Sequence, residues 1–572
     1  MPIPRKIAIV CLNHWADEPR TETFAPFSAG AWRVYAALVE PPLADCQVRL
    51  FDFDGADAAA ISAELIAFEP DLVGGSAYVW SLPLLLVVAA DLKRTRPATA
   101  IVLGGPSARP AMLDHPHFAP WRWAIDALVV SEGETPTRAL AQADGIDAWG
   151  FIAGVVVRHG DGWRSPAVAE LPALDSLPSP YQLGIAPRGR SGSLETFRGC
   201  PLACSFCEWG VWSQANRVFS VQYLAAELQA YLDLGAIGAF VVDAGLNLNR
   251  RALHNLIQAE EQVGFFARHP LAAEIYCAQL RDEDFAFLER IRCGRLGVGL
   301  QSADPQVLRS LQRPHDQQKF ETNLRRLSDI ADADVELIVG LPGDTFEGFK
   351  RSLHYAVALP CVRVHVYHCL VLPDGLMTRA AAGADCDFDP VTLRMRSCAT
   401  WPANELAKAV QWLTDCALSV GGDVSVDYWS FPAAFPPRHQ AIRPPSNRQY
   451  TLPLFSDKFV ALSTLVAGLT HGRWSLSAAA QTAESAVLTT LTAPCAEIVL
   501  EFCAATACGK AWRTLSGVQV SHRGQPDAAI LAQLEAILPE LVQGLQAAGY
   551  LAVAARGRDT PNEIRAPAQL TR

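Results

Sequence analysis

A chain of 572 residues is longer than one ordinary hydrophobic core organises, so several domains are expected. Half of it is hydrophobic and its formal net charge is −11 without a Lys/Arg run, which argues against nucleic acid as a general partner. The opening "MPIPRKIAIVCLNHW" lacks the form of a signal peptide, and the longest apolar run, "LPLLLVVAADL", is too short to span a bilayer; a cytoplasmic protein without membrane attachment is expected.

Along the first 135 residues, "KIAIVCL", "VRLFDFD", "DLVGGSAY", "AIVLGG" and "ALVVSE" read as strands. They are rich in Val, Ile and Leu and lack polar alternation, the pattern of strands buried on both faces of a parallel sheet. Helix candidates such as "DAAAISAELIAFEP" lie between them. The alternation predicts a doubly wound α/β domain over residues 1–140, with ligands outside the carboxyl ends of its strands. Those ends carry "SAYVW", "GGPSA" and "SEGET", and three such segments in one domain favour a bound cofactor. Residues 141–192 read as a linker containing a hairpin around "GDG" and the proline-rich "ELPALDSLPSPYQLG".

A second alternating series fills residues 193–390. Its strand candidates are "SLETFRG", "AFVVDAG", "AEIYCAQL", "RLGVGLQ", "DVELIVGLP" and "VRVHVYHCLVL". Six βα units fall short of a closed eight-stranded barrel, so an open partial (β/α)6 barrel is expected, with catalytic groups at the C-terminal ends of its strands. Residues 391–572 read as a smaller, mainly helical domain. No repeat of solenoid period is present.

The chain has 15 cysteines. Isolated ones, such as Cys11, Cys277 and Cys369, read as small buried hydrophobes, and no disulfide framework is expected. Cys495, Cys503 and Cys508 match no metal spacing and read as the core of a helix. Cys200, Cys204 and Cys207 differ: they form a Cys-x3-Cys-x2-Cys group on the loop after the first barrel strand. Thiolates at such spacing suit zinc or an iron–sulfur cluster. Zinc asks for a fourth ligand at short range, and none follows Cys207 closely.

This group, with Phe206 just before the third cysteine, resembles the signature of radical S-adenosylmethionine (SAM) enzymes. "VVDAG" (241–245), "VGLQSADPQVLRSLQR" (298–313) and "ELIVGLPGDTFEGF" (336–349) resemble that family's second-, fourth- and fifth-strand segments. The preceding domain, with "SAYVW", "VLGGP" and "SEGE", resembles the cobalamin-binding domain of one large branch. The resemblance spans roughly residues 5 to 390 and names no substrate.

The resemblance implies that Cys200, Cys204 and Cys207 hold three irons of a [4Fe–4S] cluster. The fourth iron would chelate SAM, which reductive cleavage converts to methionine and a 5′-deoxyadenosyl radical. Phe206 would support the adenine side, and Asp243 and Gly245 the methionine end, although Asp-Ala-Gly stands where many members carry Gly-Gly-Glu. Glu274 and Gln301 are candidate ribose or amine contacts, with Ser302 and Ile338 beside them on the fourth- and fifth-strand segments. For the corrin or its nucleotide tail the candidates are Ser76, Tyr78, Trp80, Gly104, Gly105, Pro106, Ser107, Glu132, Gly133 and Glu134. His14 lacks the surrounding Asp-x-His-x-x-Gly pattern, so cobalamin without a histidine on cobalt is expected.

The function implied is a methyltransferase that moves a methyl group from methylcobalamin to a carbon of a small-molecule or peptide substrate, fed by a low-potential donor such as flavodoxin or ferredoxin. Non-methylating radical chemistry, a tryptophan-type non-radical methylation with Glu274 or Glu208 on the open iron, and a non-catalytic sensor stay open. Methylthiolation is disfavoured, because only Cys11 and Cys46 occur in the first domain. His365, His368 and the aromatics of "DYWSFPAAF" are either substrate contacts or packing. Methyl transfer further requires that the two strand-end faces point at each other.

Overall fold

The computed structural model divides the chain into two compact units. One comprises Met1–Leu413 with Val426–Tyr428 and Ala433–Phe435; the other holds the remainder. The structure describes residues 6–12, 28–41, 43, 46–53, 57–164, 171–209, 217–420, 422–425 and 428–434, and further strands between 450 and 555.

The first sheet contains β1 (Lys6–Leu12), β2 (Gln47–Phe53), β3 (Leu72–Ser76), β4 (Ala100–Gly104), β5 (Ala127–Val129), β6 (Val155–His159) and β7 (Gly162–Arg164), in the order β2-β1-β3-β4-β5-β6-β7. The five strands from β2 to β5 are parallel, in the doubly wound order 2-1-3-4-5. The unbroken apolar run of β1 has a direct cause. Successive side chains point to opposite faces, so Ala8, Val10 and Leu12 enter one core layer while Ile7, Ile9 and Cys11 enter the other. The hairpin of β6 and β7 extends this sheet antiparallel to β5. Residues 155–164, expected within the linker, are thus sheet structure: the turn was readable, the edge it pairs with was not.

The second sheet of this unit contains six parallel strands, β8 (Gly192–Leu194), β11 (Ala239–Val241), β12 (Leu271–Ile275), β13 (Cys293–Gln301), β14 (Ala333–Val339) and β15 (Arg363–His368). A short ribbon, β9 (Phe197–Arg198) with β10 (Arg217–Val218), flanks the cysteine loop. No ladder joins β8 to β15 among the described residues, so the barrel is open as expected. Helices follow the strands. Helix Val221–Leu234 starts where the Ser220 hydroxyl accepts from the Tyr223 amide and stops at Gly235, whose φ is 68°.

A second ribbon, β16 (Asp387–Phe388) with β17 (Met395–Ser397), lies beyond β15. Leu393 is fully buried in the core of the first domain, with Leu372, Met377 and Phe388 packed against it. The segment after β15 therefore returns to the first domain, and the compact unit runs past the expected boundary at 390. The expected helix at "ANELAKAVQWLTDCAL" forms as Ala403–Ser419. Beyond residue 435 the described elements are strands: Tyr450–Thr451, Ser475–Gln481, Val487–Ala493, Ala496–Ala504, Gln519–Gly524 and Ala552–Ala555 form one antiparallel sheet. This differs from the mainly helical reading, and the Cys503 stretch is a strand. The β-branched run "VLTTLT" carries the reason. The helical candidate at 528–551 lies outside the described residues.

Between the first sheet and the barrel lies a buried charge network. Arg198 ends β9 and meets Glu132 Oε2 at 2.7 Å, Glu134 Oε1 at 2.5 Å and Glu195 Oε1 at 2.9 Å. Arg217 also pairs with Glu132. From helix Ala29–Val39, Arg33 reaches Glu195 at 3.5 Å and Glu227 at 3.8 Å, and donates to the Tyr223 hydroxyl at 3.3 Å. Burial alone would raise the Glu134 carboxyl, but Arg198 and Arg33 outweigh it and hold the group below the usual carboxylate range. Glu134 thus contributes stability above its ordinary value, and the contribution is lost as pH falls through the lower, folded value. Arg198→Met leaves Glu134 without its ion-pair partner and Glu132 and Glu195 with one guanidinium each, and is expected to lower the unfolding free energy by about 3 kcal/mol at neutral pH. Urea titration checks this, and a loss under about 1 kcal/mol would show that the pairs do not hold the domains.

Candidate functional site

The cysteine loop leaves β9 at Gly199, whose φ of 102° suits glycine and turns the chain into the barrel mouth. Within it the Cys207 amide donates to the Cys204 carbonyl at 3.1 Å, and the Ser205 amide donates to Leu311 O at 3.0 Å. All three thiols are free, and all three line one cavity of about 210 Å³ at the C-terminal ends of the barrel strands. Burial pushes the Cys200 and Cys207 thiols up, the latter to about 11. Metal binding there must displace protons.

Phe206, Glu274 and Gln301 line the same cavity, as expected. Gln301 sits at φ 69°, where the β13–β14 register shifts. This strained, irregular strand end aims its side chain into the cavity. Glu336, two residues before Ile338 on β14, lines the cavity, while Ile338 itself is half-buried outside the lining. Glu274 and Glu336 share a hydrogen bond, and burial raises both above the usual carboxylate range. Arg295 lies 3.5 Å from Glu336 and the Tyr367 hydroxyl donates to it at 3.4 Å. Two adjacent buried carboxyls retain a proton because the second negative charge has too little compensation.

Other candidates are engaged elsewhere. Asp243 is 4% exposed and accepts from the Thr196 amide at 2.9 Å, so it closes the β8–β9 turn instead of facing the cavity. Ser302 is buried against Ser352 and accepts from the Asp304 amide at 3.1 Å. Gly245 packs on Leu248, so Ala244 and Leu248 supply that part of the lining. Glu208 accepts from the Asp374 amide at 3.2 Å, outside the cavity; of the two carboxylates considered for an open iron, Glu274 is the one inside. His365 meets Arg295 at 2.8 Å and stacks on Tyr428, and His368 turns to Cys369 O; neither lines the cavity.

On the first sheet, Tyr78 and Trp80 stack at 4.6 Å, and the Trp80 indole donates to Leu12 O at 2.9 Å. Ser76 O accepts from Ser81, and the Ala77 amide donates to Gly104 O at 2.7 Å. Gly105 has φ 99°, and a Cβ there would lie 2.7 Å from Ala77 O. The β3 and β4 ends, through Pro106 and the buried Ser107, thus form one tight shelf. Glu132 and Glu134, on either side of Gly133, are occupied by Arg198. His14 lies outside the described residues.

Sequence reading missed Tyr276, Arg313, Glu336, Trp209 and Arg379, all in the lining. Arg313 stands 4.0 Å from Cys204 Sγ and over the Tyr276 ring. It fell inside a quoted segment but carried no separate signal. Among the described residues no three such side chains stand close enough to share one metal ion. A [4Fe–4S] cluster makes the opposite demand, one thiolate on each of separate irons, which three thiols spread around one cavity can meet.

A parallel open barrel carries three convergent cysteines at its strand ends, and residues 194–356 match the family described as the radical SAM superfamily. Among curated proteins, the chain is 29% identical over 384 residues to a 2-(S-pantetheinyl)-carbapenam-3-carboxylate methyltransferase of Streptantibioticus cattleyicolor, covering 61% of this chain and 52% of the relative. It is 30% identical over 378 residues, with the same coverage, to the cobalamin-dependent radical SAM methyltransferase TokK of Streptomyces tokunonensis. The chain thus spans about half the length of the curated relatives it matches. Among solved structures, the radical SAM methyltransferase TsrM from Kitasatospora setae, with tryptophan substrate and a SAM analogue bound, shares the fold at TM-score 0.52 and 17% identity, over 65% of this chain and 75% of that one. Among the described residues no helix is long and apolar enough to cross a membrane.

The shared proton sets a pH dependence. Folded Glu336 keeps a proton above the ordinary carboxylate value, so folding stability falls as pH rises from that value toward the raised one. Glu336→Gln removes this titration. Its melting temperature relative to wild type is expected to improve steadily from pH 5 to pH 8. A pH-independent difference would contradict the shared proton.

Proposed function

We propose that this protein is a cobalamin-dependent radical SAM methyltransferase that places a methyl group on a carbon of a small-molecule or peptide substrate. One observation carries the reading: the three-cysteine cavity and the strand ends of a doubly wound sheet are joined through Arg198 to Glu132 and Glu134. The relatives' names, cobalamin-dependent radical SAM methyltransferase among them, support it. Cys200, Cys204 and Cys207 would hold a [4Fe–4S] cluster, which with SAM supplies an adenosyl radical, and the 76–80 and 104–107 loops would hold cobalamin.

The chain's own residues perform the rest. Arg313, beside Cys204, offsets negative charge that thiolate ligands bring. Glu274, Glu336 and Gln301 offer hydrogen bonds to a hydroxylated or amino group in the same cavity. Phe206, Tyr276 and Leu248 exclude water from the same space. A low-potential donor such as flavodoxin or ferredoxin would deliver the electrons.

Anaerobic reconstitution tests the reading. Wild type is expected to bind one [4Fe–4S] cluster, and Cys200→Ala, Cys204→Ala or Cys207→Ala each to abolish it, by iron and sulfide analysis. Full iron in the triple variant defeats the assignment. With substrate pools and reductant, a product heavier by one methyl separates methyl transfer from rearrangement, and no cleavage of SAM under reducing conditions favours the sensor reading.

A further inference from the structure

The loop after β4 and the cysteine loop are far apart in sequence, yet one hydrogen-bonded chain joins them. Arg109 is 6% exposed. Its Nη1 donates to Gly105 O at 2.9 Å and Ala108 O at 3.0 Å, clamping the shelf of β3 and β4. Its Nε donates to Asp374 Oδ2 at 2.7 Å. The Asp374 amide donates to Glu208 Oε1 at 3.2 Å, and its carbonyl accepts from Arg379 Nε at 2.6 Å. Arg379 Nη2 then donates to Cys204 O at 3.1 Å and to Cys207 O. Gly375 lies against the Phe206 carbonyl, where a Cβ would approach to 3.2 Å.

Each end of this chain is backbone. The guanidinium of Arg109 grips carbonyls of the 105–108 turn, and the guanidinium of Arg379 grips carbonyls of the cysteine loop. A planar guanidinium presents donors in a fixed fork, so each grip fixes direction as well as distance. Asp374 links the two grips, using its side chain toward one and its main chain toward the other. The segment that carries it is seated by Leu372, Met377 and Leu393 on the first domain's core. An unbroken chain of contacts thereby runs from the 105–108 turn to the carbonyls of Cys204 and Cys207.

Resting on the two-cofactor reading above, we propose that Asp374 and Arg109 are positioning residues that register the cobalamin-side loop 105–108 against the cysteine loop, so that occupancy of one face orders the other. Neither touches the cavity. They act through Arg379 and Glu208 on the loop that holds the cysteines.

Hydrogen exchange on the cofactor-free full chain tests the strap without turnover. The Ser205 and Cys207 amides are reporters, because each donates to a backbone carbonyl. Arg109→Met is expected to speed their exchange about tenfold while the amides of β1 stay protected. Arg109→Lys, which keeps the charge but lacks the fork, is expected to restore part of the protection. If Arg109→Met opens the whole chain, Asp374→Asn, which retains both main-chain contacts, decides. Unchanged exchange at Ser205 and Cys207 in a folded strap variant overturns the proposal. In a second arm hydroxocobalamin is added. Slower exchange at the two reporters in wild type, and no slowing in Asp374→Asn, supports the coupling. Bound hydroxocobalamin with no effect on wild-type exchange overturns it. Failure of hydroxocobalamin to co-elute with the chain instead overturns the cobalamin reading and the coupling with it, while the exchange result in the free chain still stands or falls separately.

Discussion

The pairing of Arg198 with Glu132 and Glu134 is the constraint on which the rest of this architecture depends. Arg198 stands two residues before Cys200, and its partners stand just beyond β5 of the other sheet. One cation therefore fixes the root of the cysteine loop to the strand-end edge of the first domain. The desolvation of several charges is unfavourable in isolation. Here it is offset because three guanidiniums, Arg33, Arg198 and Arg217, alternate among Glu132, Glu134, Glu195 and Glu227. The same pairs would break together if the domains separated, so the arrangement resists small rotations better than an apolar contact of equal area.

Inside the cavity the charges fall into two groups. Arg313 and Arg379 stand beside the cysteine loop, while Glu274 and Glu336 pair with each other in the lining. A cluster with thiolate ligands brings negative charge to the cysteine loop, where the guanidiniums await it. The carboxyl pair shares a proton and can both donate and accept hydrogen bonds, which suits a polar group in the same cavity. Arg295, half exposed, connects Glu336 to Asp334 and His365 at the opening strand positions, so the acid pair is braced.

The segment from 370 to 400 links these features. It leaves β15, passes the cysteine loop through Asp374 and Arg379, and returns to the first domain, where Leu393 is buried. A single stretch thus touches both the cysteine loop and the core of the first domain. It explains why the compact unit extends past the barrel's last strand. Loops that span two bodies in this way convert local order at one site into order at another, provided their contacts are directional.

The sequence by itself determined the parts that obey local rules. Period-two burial with no polar alternation identified the parallel strands, since a strand covered on both faces has no polar side to show. Cys200, Cys204 and Cys207 were legible because metal spacing is a short-range property. Phe206 followed from its place beside Cys207 in the family-like motif, and Glu274 and Gln301 from their places at strand ends. Tertiary structure alone decided the rest. Nothing near Glu132 or Glu134 announces Arg198, 64 or more residues away, so candidate ligand contacts proved to be one half of an ion-pair network. Asp243 sits at the right strand end, but Thr196 reaches it first. Arg379 joins the cavity through a chain reversal 172 residues beyond Cys207. The hairpin of β6 and β7 was legible, but its pairing with β5 and the sheet of the second unit were missed because strand pairing is chosen by a distant edge. Spacing encodes what neighbours along the chain can do together; which distant charge satisfies a buried one is settled only when the chain has packed.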